Sequence, residues 1–150
     1  MSSARVLLFP IRRAPQRDGD DTSGGYDSAR RLFGGKKILV VEDDFIVAFD
    51  MQVMLEEQGA EVLGPASSLQ EASAILATNA PQAAVLDVNL NGEFVFPLAR
   101  ELKSRGIPFV FATAYADDER LFPAESADAP RLAKPVLPAV LIGQLRKLLE

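Results

Sequence analysis

Four short apolar runs of this chain each end in side chains that can bind a metal ion or handle phosphate. The first run leads into two adjacent acids, the second into an aspartate, the third into a threonine and the fourth into a lysine. If the runs are parallel strands of one sheet, their carboxyl ends lie at one edge, where open α/β sheets bind their ligands. A single crevice would then hold three carboxylates, a hydroxyl and an ammonium: Glu42, Asp43, Asp87, Thr113 and Lys134.

The acidic members of this set favour a divalent cation. Glu42 and Asp43 could simply complement the start of a following helix, which is the role we assign to Asp44. Three carboxylates in one crevice repel one another, however, and a hard cation relieves that repulsion. Mg²⁺ is suited because it takes few carboxylates, keeps several waters and accepts a phosphate oxygen. Asp87 could either cap a turn or attack phosphorus as a carboxylate nucleophile, which would give an acyl phosphate.

Thr113 and Lys134 each have an ordinary interpretation beside the functional one. A threonine is a common strand residue, and a lysine is a common surface residue. In a shared crevice, the Thr113 hydroxyl could hydrogen-bond a phosphoryl oxygen, and Lys134 could pair with the phosphoryl charge. Each signal is weak alone, and their joint occurrence at successive strand ends makes the set specific.

The elements that must position these residues follow from hydrophobic periodicity. Apolar runs alternate with helical patterns, which predicts a parallel sheet with helices on both faces and right-handed crossovers. The pattern is weakest at 114–129, where Pro123 and Pro130 leave little room for a helix. The predicted strands are 38–41, 61–64, 83–88, 107–113 and 131–134, with a loop at 89–92. The predicted helices are 45–58, 68–76 with a capping box, one with Pro97 in its first turn that ends near 104–106, and one from Pro138.

The composition excludes several classes of chemistry. The 150 residues include no cysteine and no histidine. Disulfides, thiolate catalysis, zinc–cysteine sites, Ser-His-Asp hydrolysis and an autophosphorylating histidine are therefore impossible. The chain could be the substrate of a histidine kinase but not the kinase itself. No apolar stretch approaches the roughly 18 residues of a membrane span, so we expect a cytoplasmic protein with no membrane partner.

The charge divides the chain into two parts. Residues 1–37 carry eight Lys/Arg and four Asp, a net charge of +4, whereas 38–150 carry eight Lys/Arg and 17 acids, a net charge of −9. We predict a flexible basic N-terminal extension over 1–35, with Gly34 and Gly35 as a hinge, and one folded domain over 36–150. The extension could contact an anionic partner or be a passive tail. The acidic domain argues against direct nucleic-acid binding.

Four sequence strings resemble the receiver domain of response regulators: ILVVEDD (38–44), LDVNLNG (86–92), FVFATAY (109–115) and LAKP (132–135). The resemblance covers about 36–150 and implies a flavodoxin-like (βα)5 three-layer sandwich with a parallel sheet of order 2-1-3-4-5. It implies Asp87 as phosphoacceptor, and Mg²⁺ or Mn²⁺ held by Glu42, Asp43, Asp87 and the main-chain carbonyl of Asn89. It also implies Thr113 as the switch hydroxyl and Lys134 as the lysine that pairs with phosphate.

The chain departs from the ordinary receiver pattern on its output side. Ordinary receivers carry an aromatic switch residue a few positions before the final lysine, and 129–133 contain none. Tyr115 instead follows Thr113 by two positions and is a candidate replacement. The sequence FATAY (111–115) resembles the FAT GUY subfamily, although Ala114 stands where glycine is usual and one hydrophobic residue is missing. The weak pattern at 114–129 also puts the usual fourth helix in doubt.

The resemblance implies a stand-alone response regulator that takes a phosphoryl group from a histidine kinase or a histidine phosphotransfer protein. It would signal by contact with an unidentified downstream protein or act as a phosphate reservoir, and would assist only its own phosphorylation and dephosphorylation. One alternative is a receiver-like binding module without the chemistry. A distant third is an aspartyl-nucleophile phosphohydrolase of the haloacid-dehalogenase type, which would need an acid at position 89, where this chain has Asn89.

Overall fold

A five-stranded parallel sheet forms the centre of the molecule. The computed structural model describes residues 32–150. The strands are β1 (Lys37–Val41), β2 (Glu61–Ala66), β3 (Ala83–Leu86), the short β4 (Asn89–Leu90) and β5 (Glu93–Phe94), β6 (Phe109–Thr113) and β7 (Arg131–Ala133). The helices are α1 (Phe45–Glu57), α2 (Leu69–Thr78), α3 (Phe96–Ser104) and α4 (Pro138–Leu149). The large sheet has the order β2-β1-β3-β6-β7, and β4 pairs only with β5.

The core consists of two apolar layers, one on each face of the sheet. Alternate residues of a strand point to opposite faces, so Leu39 packs in one layer and Val40 in the other. One layer is closed by α2 and α3, and the other by α1 and α4. Because both faces are covered, the central strands β3 and β6 are buried throughout and apolar up to Thr113, the last residue of β6. The predicted flavodoxin-like three-layer fold is confirmed: counting only the five long strands, the order is 2-1-3-4-5.

The predicted loop after the third strand is wrong in detail, because residues 89–94 form a β-hairpin. Asn89 pairs with Phe94, and Leu90 pairs with Glu93. Asn91 and Gly92 occupy the turn with φ of 55° and 92°. Positive φ at both central positions is the geometry of a type I′ two-residue hairpin turn, which Asn-Gly adopts more readily than other pairs. The Asn-Gly sequence was therefore a hairpin signal as well as a loop signal.

The connection between β6 and β7 contains no α-helix, in agreement with the weak pattern at 114–129. Two single turns of 3₁₀-helix, Glu119–Leu121 and Ala124–Ser126, take its place. Phe122 between them has extended backbone (φ −97°, ψ 126°), because the residue before a proline avoids the helical region. The Phe122 ring is buried against Phe96 and Phe111, with the Arg131 guanidinium 3.8 Å from its centre. That ring therefore anchors the connection to the core.

Phe33 belongs to the folded part, although the sequence analysis places it in the extension. Its side chain is 2% exposed and packs in the α1/α4 layer. The Phe33 N–H donates to the carbonyl of Gln58, and the Gly35 N–H donates to that of Gly59. The chain therefore joins the domain beside the C-terminal end of α1. The rest of the predicted extension, 1–31, lies outside the described residues. Within 32–150, no helix is long and apolar enough to cross a membrane.

A capping interaction fixes the start of α2, as the sequence predicts. Ser68 is the N-cap, and its hydroxyl accepts from the Glu71 N–H at 3.1 Å. The Glu71 carboxylate accepts from the Ser67 N–H at 2.7 Å and from the Ser67 hydroxyl at 2.9 Å. These hydrogen bonds lower the pKa of Glu71, because they favour the ionised carboxylate. Because the pKa is depressed, these hydrogen bonds to the ionised Glu71 contribute to the stability of the fold above pH 4.5. That contribution is lost as the pH falls below this value.

We expect Ser68→Ala to lower the free energy of unfolding by about 1 kcal/mol, because the first N–H groups of α2 lose an acceptor. Urea unfolding at neutral pH measures the change. Ser73→Ala is the matched control, since Ser73 is exposed inside the same helix and alanine is the better helix former. Equal effects of the two substitutions would contradict a capping role for Ser68.

Candidate functional site

The carboxyl ends of three strands bring four of the predicted site residues together. Val41 of β1 pairs with Leu86 of β3 in the parallel ladder, so the residues that follow them, Glu42 and Asp87, lie side by side. The Asp87 N–H continues this ladder by donating to the carbonyl of Val41 at 2.9 Å. Lys134 follows β7 on the other side of β6 and reaches across to both acids. The crevice therefore lies where an open parallel sheet places its ligand site.

Three of the four predicted metal ligands, the carboxylates, form one cluster. Carboxylate oxygens of Glu42, Asp43 and Asp87 lie within 4.8 Å of one another. Glu42 and Asp87 are buried, with 2% and 8% exposure, and Asp43 is partly exposed. Asp44 lies outside the cluster and acts as the N-cap of α1, where its carboxylate accepts from two N–H groups. The helix-capping role that we assigned to Asp44 is thus confirmed.

Lys134 supplies the positive charge of the cluster. Its Nζ lies 2.6 Å from Oε1 of Glu42 and 3.2 Å from Oδ2 of Asp87. Its backbone N–H donates to the Thr113 carbonyl at 3.0 Å, which extends the pairing of β6 with β7. A lysine at this register is directed into the crevice by the sheet, with its side chain only 21% exposed. The interpretation of Lys134 as an ordinary surface lysine therefore does not fit the structure.

Burial and neighbouring charges shift the pKa values of Glu42 and Lys134. Burial raises the pKa of Glu42 to about 7, helped by the negative charge of Asp87 and opposed by hydrogen bonds from Lys134 and the Asp44 N–H. Burial acts against the charge on Lys134, but its hydrogen bond to Glu42 and the charges of Asp87 and Glu42 outweigh this. The net effect raises the pKa of Lys134. Lys134 is therefore a permanent cation, whereas Glu42 can take up a proton near neutral pH.

Glu42 gives the metal-free protein a pH-dependent stability. An acid with a raised pKa binds more protons in the folded state, so its contribution is favourable below pH 4.5 and is lost as the pH rises to about 7. We expect this group to lower the free energy of unfolding by roughly 3 kcal/mol at most across that range. Urea unfolding at several pH values, with EDTA present, measures the effect. Glu42→Gln has no carboxyl to titrate at this position. Its free energy of unfolding should therefore rise relative to that of the wild type as the pH increases. Parallel curves for the two proteins would contradict this prediction.

Thr113 is fully buried at the end of β6, between the strands that carry Asp87 and Lys134. Its hydroxyl accepts from the backbone N–H of Tyr115 at 3.1 Å. The Tyr115 side chain is 46% exposed and belongs to the surface of the connection that follows β6. A displacement of the Thr113 hydroxyl would therefore be transmitted to the backbone of Tyr115. The switch roles of both residues stay predictions.

The hairpin adds Asn91 to the site, a residue that the sequence pattern does not predict there. The backbone N–H of Asn91 donates to Oδ2 of Asp43 at 2.9 Å, which orients that carboxylate in the cluster. Asn89 uses its side chain to accept from the Gly92 N–H at 2.6 Å, which stabilises the turn. The expected use of the Asn89 main-chain carbonyl as a metal ligand stays a prediction. The Asn-Gly hairpin signal could have identified the Asn91 contact only together with the three-dimensional position of Asp43.

Comparison with known proteins matches most of the folded domain to a family. The family model described as "Response regulator receiver domain" matches residues 38–146. The transcriptional regulatory protein PdtaR of Mycobacterium tuberculosis is 30% identical over 118 residues, which are 74% of this chain and 58% of that protein. The phosphate regulon transcriptional regulatory protein PhoB of Pseudomonas aeruginosa is 32% identical over 121 residues, 77% of this chain and 52% of that protein. The chain thus spans between 52% and 58% of the length of these curated relatives.

Solved structures show the same likeness. The solution structure of SdrG from Sphingomonas melonis Fr1 is 34% identical, with a TM-score of 0.65, and covers 77% of this chain and 97% of that one. The response regulator PhyR from Brucella abortus is 26% identical, with a TM-score of 0.64, over 77% of this chain and 48% of that one. SdrG is therefore similar over nearly its whole length, whereas only about half of PhyR is matched.

Proposed function

The chain belongs to the response regulator receiver domain family, and from this premise we propose that Asp87 accepts a phosphoryl group. The donor would be a histidine kinase or a histidine phosphotransfer protein, because this chain has no histidine of its own. The observation that carries the proposal is the position of Asp87, a buried carboxylate between a lysine and two further acids. The phosphorylated protein would signal by contact with a downstream protein or hold the phosphoryl group as a reservoir, in the cytoplasm.

The proposed transfer needs a nucleophile and a cation in contact. An ionised Asp87 oxygen attacks phosphorus, the bond from phosphorus to the donor imidazole nitrogen breaks, and that nitrogen keeps the electron pair. Lys134 Nζ, already 3.2 Å from Asp87, is placed to pair with the incoming phosphoryl oxygens. Charge repulsion between two anions is the main obstacle to this step, so neutralisation within the crevice is the principal contribution of the protein.

The acidic cluster fits the Mg²⁺ or Mn²⁺ that the family implies. Its donors are all carboxylate oxygens, which hard divalent cations prefer, and they converge within 4.8 Å. Glu42, Asp43 and Asp87 would hold the ion, with the main-chain carbonyl of Asn89 as the proposed fourth protein ligand. When bound, the ion would offset the negative charge of the carboxylates and of the phosphoryl oxygens.

We expect Asp43→Asn to weaken Mg²⁺ binding at least about tenfold, because the site loses one of three charged ligands. Isothermal titration calorimetry of Mg²⁺ into each protein measures the dissociation constant. Asp44→Asn is the matched control, since it removes the same charge one residue further on, outside the cluster, and asparagine remains a good N-cap. Equal losses in both variants would mean that general charge, not ligation by Asp43, controls the affinity.

Incubation with acetyl phosphate and Mg²⁺ tests the proposed function without knowledge of the natural donor. We expect a base-labile phosphoryl adduct on the full chain, detected by intact-protein mass spectrometry and absent when EDTA replaces Mg²⁺ in the incubation. Failure to label under conditions that label an ordinary receiver would favour the alternative, a receiver-like binding module without phosphotransfer. The aspartyl-nucleophile phosphohydrolase is the weaker alternative, because Asn89 cannot act as the second acid and instead stabilises the hairpin turn.

A further inference from the structure

A second surface lies beside the phosphorylation site, in a groove between α1 and α4. The groove encloses about 710 Å³, and its apolar wall includes Val47, Met51, Val53, Met54, Val136 and Leu141. One end of it reaches Lys134 and Pro135. It is a distinct volume from the carboxylate cluster, since none of the three acids lines it.

The two helices that bound the groove carry an unusual concentration of exposed apolar side chains. Among the described residues, seven large hydrophobic side chains are exposed, and five of these belong to α1 or to the start of α4. Phe45 is 77% exposed and Ile46 70%. An apolar patch that adjoins a groove on a small domain usually marks a binding surface. The five residues are Phe45, Ile46, Phe49, Leu137 and Val140.

The charges of the groove select the kind of segment that fits. Asp50 and Glu57 line it on α1. The cation at its end, Lys134, is already paired with Glu42 and Asp87. A complementary occupant therefore has apolar side chains for the wall and positive charge for the two acids of α1.

The N-terminal region of this chain has that composition. Residues 6–9 are Val-Leu-Leu-Phe, Arg5 precedes them, and Arg12 and Arg13 follow after Pro10 and Ile11. Residues 14–32 connect this run to Phe33, a segment of 19 residues. Nineteen residues can span at most roughly 65 Å, well beyond the roughly 20 Å length of a 13-residue helix such as α1, so the run can reach every part of the groove.

The point at which the chain enters the domain favours this occupant over a separate molecule. Phe33 is buried in the α1/α4 layer and is hydrogen-bonded to Gln58 at the C-terminal end of α1, on the same side of the sheet as the groove. A tethered segment at this distance has an effective concentration on the order of millimolar. A second copy or a free protein would have to compete with that concentration.

We propose that residues 5–13 bind in the groove between α1 and α4 of the same molecule. The apolar run Val6–Phe9 would lie on the apolar wall, and Arg12 and Arg13 would face Asp50 and Glu57. The interaction needs neither phosphate nor metal, so its test is independent of the proposed phosphotransfer.

A disulfide trap can test this in the full chain, which has no native cysteine. We expect the pair Leu8→Cys and Val53→Cys to form an intramolecular disulfide in a glutathione buffer, at least tenfold more readily than Leu8→Cys with Ser73→Cys on the opposite face. A disulfide forms without distortion only when the two Cα atoms approach within about 7 Å. Equal trapping of both pairs would overturn the proposal. Disulfides between two chains would overturn it too, because they would make a second copy the occupant.

Methyl NMR of the full chain gives a second measurement, in which the substitutions lie outside residues 32–150. Leu7→Asp together with Phe9→Asp should shift the methyl resonances of Val53, Met54 and Leu141, which line the groove. The resonances of Leu76 and Leu102, in the opposite layer, should stay unchanged. Unchanged groove resonances would overturn the proposal and leave the groove free for a separate partner.

Discussion

Replacement of Asp87 by asparagine is expected to abolish the base-labile adduct that acetyl phosphate forms on the wild-type chain. An amide has no ionised oxygen to attack phosphorus, and an acyl phosphate cannot form on it. The substitution keeps the shape of the side chain and leaves the Asp87 backbone N–H on the Val41 carbonyl. It also removes a negative charge that raises the pKa of Glu42. We therefore expect the fold to persist and the adduct signal to fall to the level of a sample without acetyl phosphate.

The control for this prediction separates the acceptor from its neighbours. Asp44→Asn changes the same functional group close to the crevice but outside the carboxylate cluster, so it should label like the wild type. Asp43→Asn should label slowly, and excess Mg²⁺ should restore part of the rate. An adduct that survives in Asp87→Asn would place the acceptor on another carboxylate, and peptide mapping would identify it. Circular dichroism of each variant shows whether a loss of labelling follows from a loss of fold.

The crevice could be predicted from sequence because two features identify each strand: an apolar run and the polar residue that ends it. An apolar run such as that of β6 identifies a strand buried on both faces, and the first polar residue after it marks the carboxyl end. Parallel connections then bring all such ends to one edge, so Asp87 and Lys134 meet although 47 residues separate them. Sequence position and topology alone thus account for the cluster.

The contacts within the crevice depend on distances that the sequence does not contain. The sequence predicts that Lys134 pairs with phosphate, but its shortest contact is with Glu42, at 2.6 Å. The orientation of Asp43 by the Asn91 N–H needs the hairpin turn, whose positive φ angles are favoured only locally. The replacement of a fourth helix by two 3₁₀ turns follows from prolines that the sequence shows. The anchoring of Phe122 beneath Arg131 does not, because it is a tertiary contact.

Lys134→Met is expected to destabilise the metal-free protein by about 2 to 3 kcal/mol at pH 8 and by clearly less at pH 6. Removing one partner of a buried ion pair leaves the other charge uncompensated, which typically costs about 3 to 5 kcal/mol. Glu42 can reduce that cost by taking a proton, because its pKa is already about 7 with Lys134 in place and would rise further without it. At pH 6 the carboxyl is largely neutral in both proteins, so less is lost.

Urea unfolding at the two pH values, with EDTA present, measures this difference. Lys134→Arg is the control, because it keeps the charge and changes the geometry, and its destabilisation should depend less on pH. A loss in Lys134→Met that is the same at pH 6 and pH 8 would mean that packing of the lysine stem, not its charge, stabilises the fold. The same variant should also label with acetyl phosphate roughly tenfold more slowly, since a charged hydrogen bond contributes about 1.5 kcal/mol or more. A slower rate that Lys134→Arg restores would show that Lys134 acts as a cation toward both Glu42 and the phosphoryl group.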